Sequence, residues 1–205
     1  MLADLTMKEF LKKITAGSPV PGGGSVAALS AALAASLAEM VANLTLGKKG
    51  YEAVEEDMQI LSQEAIRLRE KLVSAVDNDS NAYGTVISAM QLPRGTEREK
   101  RHREKMIQNG LKQATVIPMN VAGDAVRVME LAGEAVEKGN RNTISDGTVG
   151  IIMAKAAVLS ALCNVRINLP FIHDKTFVDK ISREVKELEK KTLDGRKEFW
   201  VPGDF

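Results

Sequence analysis

The feature that most constrains this fold is a regular spacing of apolar residues in the first half of the chain. Apolar side chains recur from Val54 to Ala89 at alternating intervals of four and three residues. This spacing places them along one side of a single α-helix, as in coiled coils, and Pro93 is expected to end that helix. Position 79 belongs to the same series but holds Asp79. The sequence therefore predicts one long helix with a carboxylate on the side that packs against other helices.

The rest of the chain also carries helical signals. Thr96–Glu99 forms a capping box, and residues 25 to about 46 are small or apolar nearly all round, which is typical of a buried helix. Pro118 is expected to break or restart a later helix. Aromatic residues make up only 4% of the chain, so the core must be aliphatic, which favours helices over strands. We predict an all-α, single-domain bundle with long central helices over residues 1–193 and an irregular tail over 194–205.

Charge and cysteine content exclude several classes of function. The chain has 28 basic and 27 acidic residues, so no overall field would hold it to nucleic acid or to an acidic membrane. One cysteine excludes an intrachain disulfide and fits a reducing cytoplasm, and two histidines leave little for a metal site. The longest apolar run, 26–38, is too short to span a bilayer. We expect a soluble cytoplasmic protein without bound metal, nucleic acid or membrane.

A glycine-rich segment, Gly22-Gly23-Gly24-Ser25, directly precedes the predicted buried helix. Consecutive glycines let backbone N–H groups approach a ligand closely, and a helix N-terminus favours anions or electron-rich oxygens. The segment also matches a dinucleotide-binding pattern, but no strand precedes it, which excludes that interpretation. From the residues alone, a flexible helix cap and a ligand-binding turn fit equally well.

Three aspartates are candidates for acid–base chemistry. Asp77 and Asp79 lie in the middle of the long predicted helix. Acidic pairs are common on helix surfaces, and Asp77 fits that interpretation as well as a chemical role. Asp79 falls within the apolar series, where loss of water would raise its pKa and suit it to proton transfer. Asp146 follows Ser145 in a polar loop and most simply caps a helix, with ligand binding as the second interpretation.

Two asparagines and two lysines are candidates for ligand binding. Asn164 and Asn168 are four residues apart, on the small-residue side of a predicted helix, and buried amides need partners. They either bond neighbouring backbone groups or line a site that recognises a polar heterocycle. Lys48 and Lys49 follow the predicted buried helix and lie in solvent or hold an acidic substrate group.

Several motifs, taken in their order along the chain, resemble one known family. They are Pro21–Ala28, Met40–Lys49, Val76–Asp79, Met90–Pro93, Gly139–Asn140, Ser145–Asp146 and Asn164–Asn168. Over about Pro19 to Asp174 the sequence resembles the cyclodeaminase half of formiminotransferase-cyclodeaminase and its stand-alone bacterial relatives, some of which are methenyltetrahydrofolate cyclohydrolases. The resemblance implies an all-α homodimer that binds a reduced folate in a cleft at or near the dimer interface.

The resemblance also implies a reaction. The family closes 5-formiminotetrahydrofolate to 5,10-methenyltetrahydrofolate and releases ammonia, while the cyclohydrolase relatives interconvert methenyl- and 10-formyltetrahydrofolate. It implies no cofactor beyond the tetrahydrofolate, which carries one or several glutamates. We expect the 205 residues to leave no room for the transferase half, so that a separate formiminotransferase would supply the formimino group.

On this resemblance, Asp79 is predicted to be the principal acid/base, assisted by Asp77 or Asp146. Lys48 and Lys49 are predicted to hold the carboxylates of the glutamate tail. The residues predicted to bind other parts of the substrate are Gly22, Gly23, Gly24, Ser25, Asn140, Asn164 and Asn168. Two alternatives stay open at this point: a cyclohydrolase, and a non-catalytic helical protein that binds folate or a partner.

Overall fold

A computed structural model describes residues 1–194, and every element in this range is helical. Single 3-10 turns join six α-helices in several places. The helices are α1 (Met7–Ile14), α2 (Gly23–Asn43), α3 (Glu55–Met90), α4 (Glu97–Lys138), α5 (Ile144–Asn168) and α6 (Lys175–Asp194). The prediction of an all-α bundle is confirmed for the described residues. The predicted irregular tail lies outside them, except for Asp194, which ends α6.

The centre of the bundle is the antiparallel pair α2 and α5. A Cβ added at Gly23 would lie 3.3 Å from Asn164, and one added at Gly150 would lie 3.5 Å from Ala34, so the two helices run in opposite directions side by side. Both pack against α4, and α2 also packs against α3. The buried face of α2 consists mainly of alanines with no measurable exposure, among them Ala31. Small side chains therefore let the backbones of the central helices approach closely.

The α3 helix matches the prediction from apolar spacing. It is 36 residues long, and its buried side chains include Met58, Leu61, Leu68 and Leu72 from the predicted series. Towards its end, Val86 and Ala89 pack with Ile107, Leu111 and Ile172 in a small second core. This second core is separate from the main core between α2, α3, α4 and α5.

The predicted break at Pro118 is wrong, because α4 is continuous over 42 residues through this proline. A proline in a helix has no N–H, so the carbonyl oxygen four residues earlier loses its usual partner. That oxygen belongs to Ala114, and it accepts a hydrogen bond from the side-chain nitrogen of Asn168 at 3.0 Å. An amide from α5 thus replaces the missing backbone bond, and Pro118 is itself buried.

Two helical stretches, α2 and the segment Arg141–Phe171, are long and apolar enough to cross a membrane by length and composition alone. Both stretches are longer than the 13-residue run 26–38, which is itself too short to span a bilayer. In the structure, 56% of the most apolar window of α2 and 44% of that of Arg141–Phe171 are buried inside the bundle. Much of this apolar surface therefore packs against other helices of the same chain.

Candidate active site

A cavity of about 510 Å³ lies where the first turn of α2 meets the second half of α3, the first half of α4 and the end of α5. Its polar lining consists mainly of Gly22, Gly23, Gly24, Asp79, Asn164 and Asn168. Its apolar lining consists mainly of Val86, Ile87, Met90, Ile107, Leu111 and Phe171, several of which belong to the second core. The volume is that of a pocket for a ligand of drug-like size, and polar groups gathered at one end of an apolar pocket fix a ligand's orientation.

The carboxylate of Asp79 lies directly against the first turn of α2. A Cβ added at Gly24 would come within 2.6 Å of Asp79 Oδ2 and closer still to Oδ1, so this turn leaves no room for a side chain at position 24. The hydroxyl of Ser25 is 3.1 Å from Oδ2, to which it donates. Glycines at a helix N-terminus predict a place for a ligand's oxygens. In the structure, a carboxylate of the chain itself occupies part of that place.

Burial raises the pKa of the Asp79 carboxyl above its usual range, because loss of water disfavours the charged form. Hydrogen bonds from the hydroxyl and the backbone N–H of Ser25 favour the charged form and oppose this rise. Among the residues lining the cavity, Asp79 is the one carboxylic acid. A carboxyl with a raised pKa at the edge of a cavity is suited to taking and returning a proton.

Asp77 lies on the other side of α3 and does not line the cavity. Two residues along a helix correspond to a rotation of about 200°, so Asp77 and Asp79 cannot face the same site. The carboxylate of Asp77 accepts hydrogen bonds from the backbone N–H groups of Leu2 at 2.6 Å and Ala3 at 3.2 Å. Its observed role is to hold the N-terminal 3-10 turn, and the prediction that it assists Asp79 is not supported within one chain.

Four of the residues predicted for the site lie at the opposite end of the bundle. Asp146 precedes Asn164 by 18 residues of one helix, a distance of about 27 Å. Asn140 is buried and bonds through its backbone N–H to Thr45 and through its side chain to the carbonyl oxygen of Leu44. Lys48 and Lys49 line a shallow depression together with two glutamates. Within one chain, the structure does not bring these four residues to Asp79.

Asn164 and Asn168 both line the cavity, and each uses its side-chain nitrogen to bond backbone carbonyls. Asn164 donates to Ser160 at 2.9 Å, and Asn168 donates to Ala114 at 3.0 Å and to the carbonyl oxygen of Asn164 at 3.1 Å. Among residues 1–194, the side-chain oxygen of neither asparagine has a hydrogen-bond partner. The structure therefore shows the first interpretation, in which the side-chain nitrogens bond backbone groups, and ligand binding by the side-chain oxygens stays a prediction.

Sequence reasoning missed the apolar half of the cavity. Ile107 and Leu111 follow a strongly charged stretch of α4, which drew attention to its solvated face. Tyr83 lies four residues after Asp79 and also lines the cavity. Residues four apart share a helix face, so the position of Asp79 could have led to Tyr83. In the part of the chain that the structure describes, no three His, Cys, Asp or Glu side chains come together as a metal site would require.

Comparisons with known proteins agree on one family. The family model described as formiminotransferase-cyclodeaminase matches residues 6–187. A methenyltetrahydrofolate cyclohydrolase of Methylorubrum extorquens is 38% identical over 92% of this chain and 89% of its own length. The formimidoyltransferase-cyclodeaminase of Rattus norvegicus is 33% identical over 91% of this chain, which spans only 35% of that protein. The crystal structure of a formiminotetrahydrofolate cyclodeaminase from Thermotoga maritima superimposes with a TM-score of 0.87 at 32% identity, covering 97% of this chain and 96% of that one.

Proposed function

The chain belongs to the formiminotransferase-cyclodeaminase family, and we propose that it closes 5-formiminotetrahydrofolate to 5,10-methenyltetrahydrofolate with release of ammonia. The observation that carries this proposal is the position of Asp79, a carboxyl of raised pKa at the polar end of an otherwise apolar cavity. The similarity to a formiminotetrahydrofolate cyclodeaminase over nearly the whole of both chains supports it.

The reaction needs one proton to move between two nitrogens. The N10 amine attacks the carbon of the protonated formimino group, which gives a tetrahedral centre bonded to N5, N10 and an amino group. Asp79, as base, takes the proton from N10 and then, as acid, gives it to the amino group. The bond from carbon to this group breaks, ammonia leaves, and the methenyl bridge between N5 and N10 remains. General acid–base catalysis of this kind contributes about 10²–10⁴-fold to rate.

The two ends of the cavity match the two ring systems of a reduced folate. The free side-chain oxygens of Asn164 and Asn168 would accept hydrogen bonds from the N–H groups of the pteridine ring. The apolar lining, including Ile107 and Leu111, would pack against the aminobenzoyl ring. This orientation places the carbon between N5 and N10 near the middle of the ligand, within reach of Asp79.

The cyclohydrolase reaction is the second candidate, and the 38% identity to a cyclohydrolase over most of both chains favours it. In that reaction Asp79 would take a proton from the water that attacks the methenyl carbon. Both reactions share the methenyl compound and require a proton carrier beside the same carbon, so the cavity is compatible with either.

An assay with two substrates separates the candidates. Purified protein is given 5-formiminotetrahydrofolate in one reaction and 5,10-methenyltetrahydrofolate in another, and ammonia and the folate products are measured in each. Ammonia release with formation of the methenyl product supports the cyclodeaminase. Formation of 10-formyltetrahydrofolate without turnover of the formimino compound supports the cyclohydrolase. Turnover of neither, with no tetrahydrofolate binding in calorimetry, would leave a non-catalytic helical protein.

A second copy of the chain is proposed to cover the outer face of α2 and α5. Three apolar side chains of α2 and the residue that follows this helix lie on this face and are between 37% and 49% exposed, namely Val26, Leu33, Met40 and Leu44. The neighbouring α5 adds Val149 and Ile152. Val26 and Met40 are each seven residues from Leu33, so a two-fold axis at Leu33 would pair each of them with the other in the second copy. Replacement of Leu33 by glutamate should convert a dimer to monomers in sedimentation analysis.

Such a dimer would also account for the predicted residues that lie far from Asp79. Antiparallel pairing of two α2 helices would bring Lys48 and Asp146 of one copy towards the cavity of the other. Mixing Asp79→Asn chains with Lys48→Ala/Lys49→Ala chains tests this arrangement, because half of randomly mixed dimers would hold one intact site. Recovery of about a quarter of the normal activity is expected, and no recovery would contradict a shared site.

We also propose a cytoplasmic location and a separate formiminotransferase as the source of the substrate.

A further inference from the structure

The hydroxyl of Ser25 lies among three other oxygen atoms, and no part of this serine is exposed. Its Oγ is 3.0 Å from the carbonyl oxygen of Val76, 3.1 Å from Asp79 Oδ2 and 3.2 Å from the hydroxyl of Ser80. Ser25 is not among the residues that line the cavity, although Gly24 and Asp79 are. The prediction that Ser25 contacts substrate therefore conflicts with its position behind Asp79.

The hydrogen-bond donors and acceptors around Ser25 exchange roles when Asp79 gains or loses a proton. Ser25 has one hydroxyl hydrogen, while a carbonyl oxygen and an ionised carboxylate can only accept. When Asp79 is ionised, the Ser25 hydroxyl can donate to Oδ2. When Asp79 is protonated, its own O–H can donate to Ser25 Oγ, and the Ser25 hydroxyl can turn to the carbonyl oxygen of Val76. The two acceptors lie at nearly equal distances, so this change needs only a rotation about one bond.

We infer that Ser25 is a positioning residue that gives Asp79 a hydrogen-bond partner in both of its protonation states. A half-buried carboxyl that gains or loses a proton normally leaves a polar atom without a partner, which costs free energy. The rotating hydroxyl removes this cost in both directions. The inference deepens the proposed function and rests on it only for the meaning of the proton transfer, since the hydrogen bonds can be tested without any substrate.

Among residues 1–194 of one chain, no other ionisable group faces Asp79 closely enough to compete with Ser25. The first turn of α2 contains no acidic residue, and Asp77 on α3 points away to the N-terminal turn. From α4 and α5, the described residues that line the cavity are apolar or uncharged, and Tyr83 on α3 is the one other titratable side chain there. A change in the titration of Asp79 on removal of the Ser25 hydroxyl can therefore be assigned to that hydroxyl.

The direct test is the titration of Asp79 in the full chain, with Ser25→Ala as the variant. Carboxyl-labelled aspartate is followed by ¹³C NMR, and the Asp79 signal is identified by its loss in Asp79→Asn. A hydrogen bond to the ionised carboxylate is stronger than one from the neutral acid, so removal of Ser25 destabilises the ionised form more and should raise the pKa of Asp79 by about one unit. Ser80→Ala is the matched control, since its hydroxyl contacts Ser25 and not Asp79, and it should shift the pKa by less than half as much.

Steady-state kinetics distinguish a residue that positions Asp79 from a residue that contacts the substrate. If Ser25 positions Asp79, Ser25→Ala should shift the pH profile of kcat upward by the same amount and leave KM for the folate unchanged. An unchanged Asp79 titration would overturn the inference, as would a raised KM with an unchanged pH profile. Ser25→Cys, which keeps a weaker donor, should give a smaller shift and provides the same test if Ser25→Ala does not fold. If no folate is turned over, the proposed function fails while the NMR titration still decides the role of Ser25.

Discussion

The two ends of the bundle both gather polar side chains, but they use them differently. At the Asp79 end, the asparagine oxygens and the carboxylate border a cavity and keep hydrogen-bonding capacity for a ligand. At the far end, Asn140 donates to the carbonyl oxygen of Leu44 and accepts from the backbone N–H of Asn142, so both polar atoms of its side chain are occupied. A polar residue in a helical bundle is a candidate for chemistry where some of its bonding capacity is left over, and a structural residue where all of it is used.

The largest expected effect breaks the Asp79 end alone. Asp79→Asn keeps the size of the side chain but removes the proton carrier, so kcat should fall by about 10²–10⁴-fold. Folate affinity by calorimetry and the helical circular dichroism should persist. Asp77→Asn is the matched control on the opposite side of α3 and should keep normal turnover. Equal loss of activity in both variants would show that an aspartate need not face the cavity to contribute to the reaction.

The next effect concerns the fit between the glycine turn and the carboxylate. Gly24→Ala would place a Cβ into the position of the Asp79 carboxylate, so the carboxylate must move, and kcat should fall by roughly 10²-fold. Gly23→Ala is the control, because its Cβ would meet only the Asn164 side chain, at 3.3 Å. A kcat for Gly24→Ala as high as that for Gly23→Ala would contradict the close contact between the Asp79 carboxylate and the first turn of α2.

A change at the far end should affect stability rather than proton transfer. Asn140→Ala removes two side-chain hydrogen bonds in a buried position, so the free energy of unfolding should fall by about 1–3 kcal/mol in urea denaturation. The pKa of Asp79, followed by ¹³C NMR, should be the same as in the unmodified chain. A shift in the titration of Asp79 in Asn140→Ala would show that the two ends of the bundle are coupled.

The smallest effect is the pH dependence of stability. The folded chain raises the pKa of Asp79, so between the ordinary pKa of aspartate and this raised value the folded state binds more protons than the unfolded state. The contribution of Asp79 to stability is therefore present at low pH and lost as pH rises through the raised pKa. Relative to the unmodified chain, Asp79→Asn should gain stability over this range in urea denaturation. By contrast, the Asn140→Ala substitution should lower the free energy of unfolding by the same amount at every pH.

Apolar spacing was enough to predict the helical bundle and to single out Asp79, because a carboxylate within a packed series is visible in the sequence. The separation of Asp77 from Asp79 was also available from helical geometry, although the motif suggested a pair. The continuity of α4 through Pro118 was not predictable from local signals, since the replacement donor comes from Asn168, fifty residues later in the chain. The location of Lys48 and Asp146 depends on how the helices are arranged in space, which short motifs do not encode.

The bond between Asn168 and the carbonyl oxygen of Ala114 has a consequence for the divergence of relatives. A proline at position 118 creates the need for an amide at position 168, and any residue with an N–H at 118 removes it. Aligned sequences of the family should therefore show correlated replacement at these two sites. Relatives without the proline would no longer need an amide at position 168 and could carry a different side chain there.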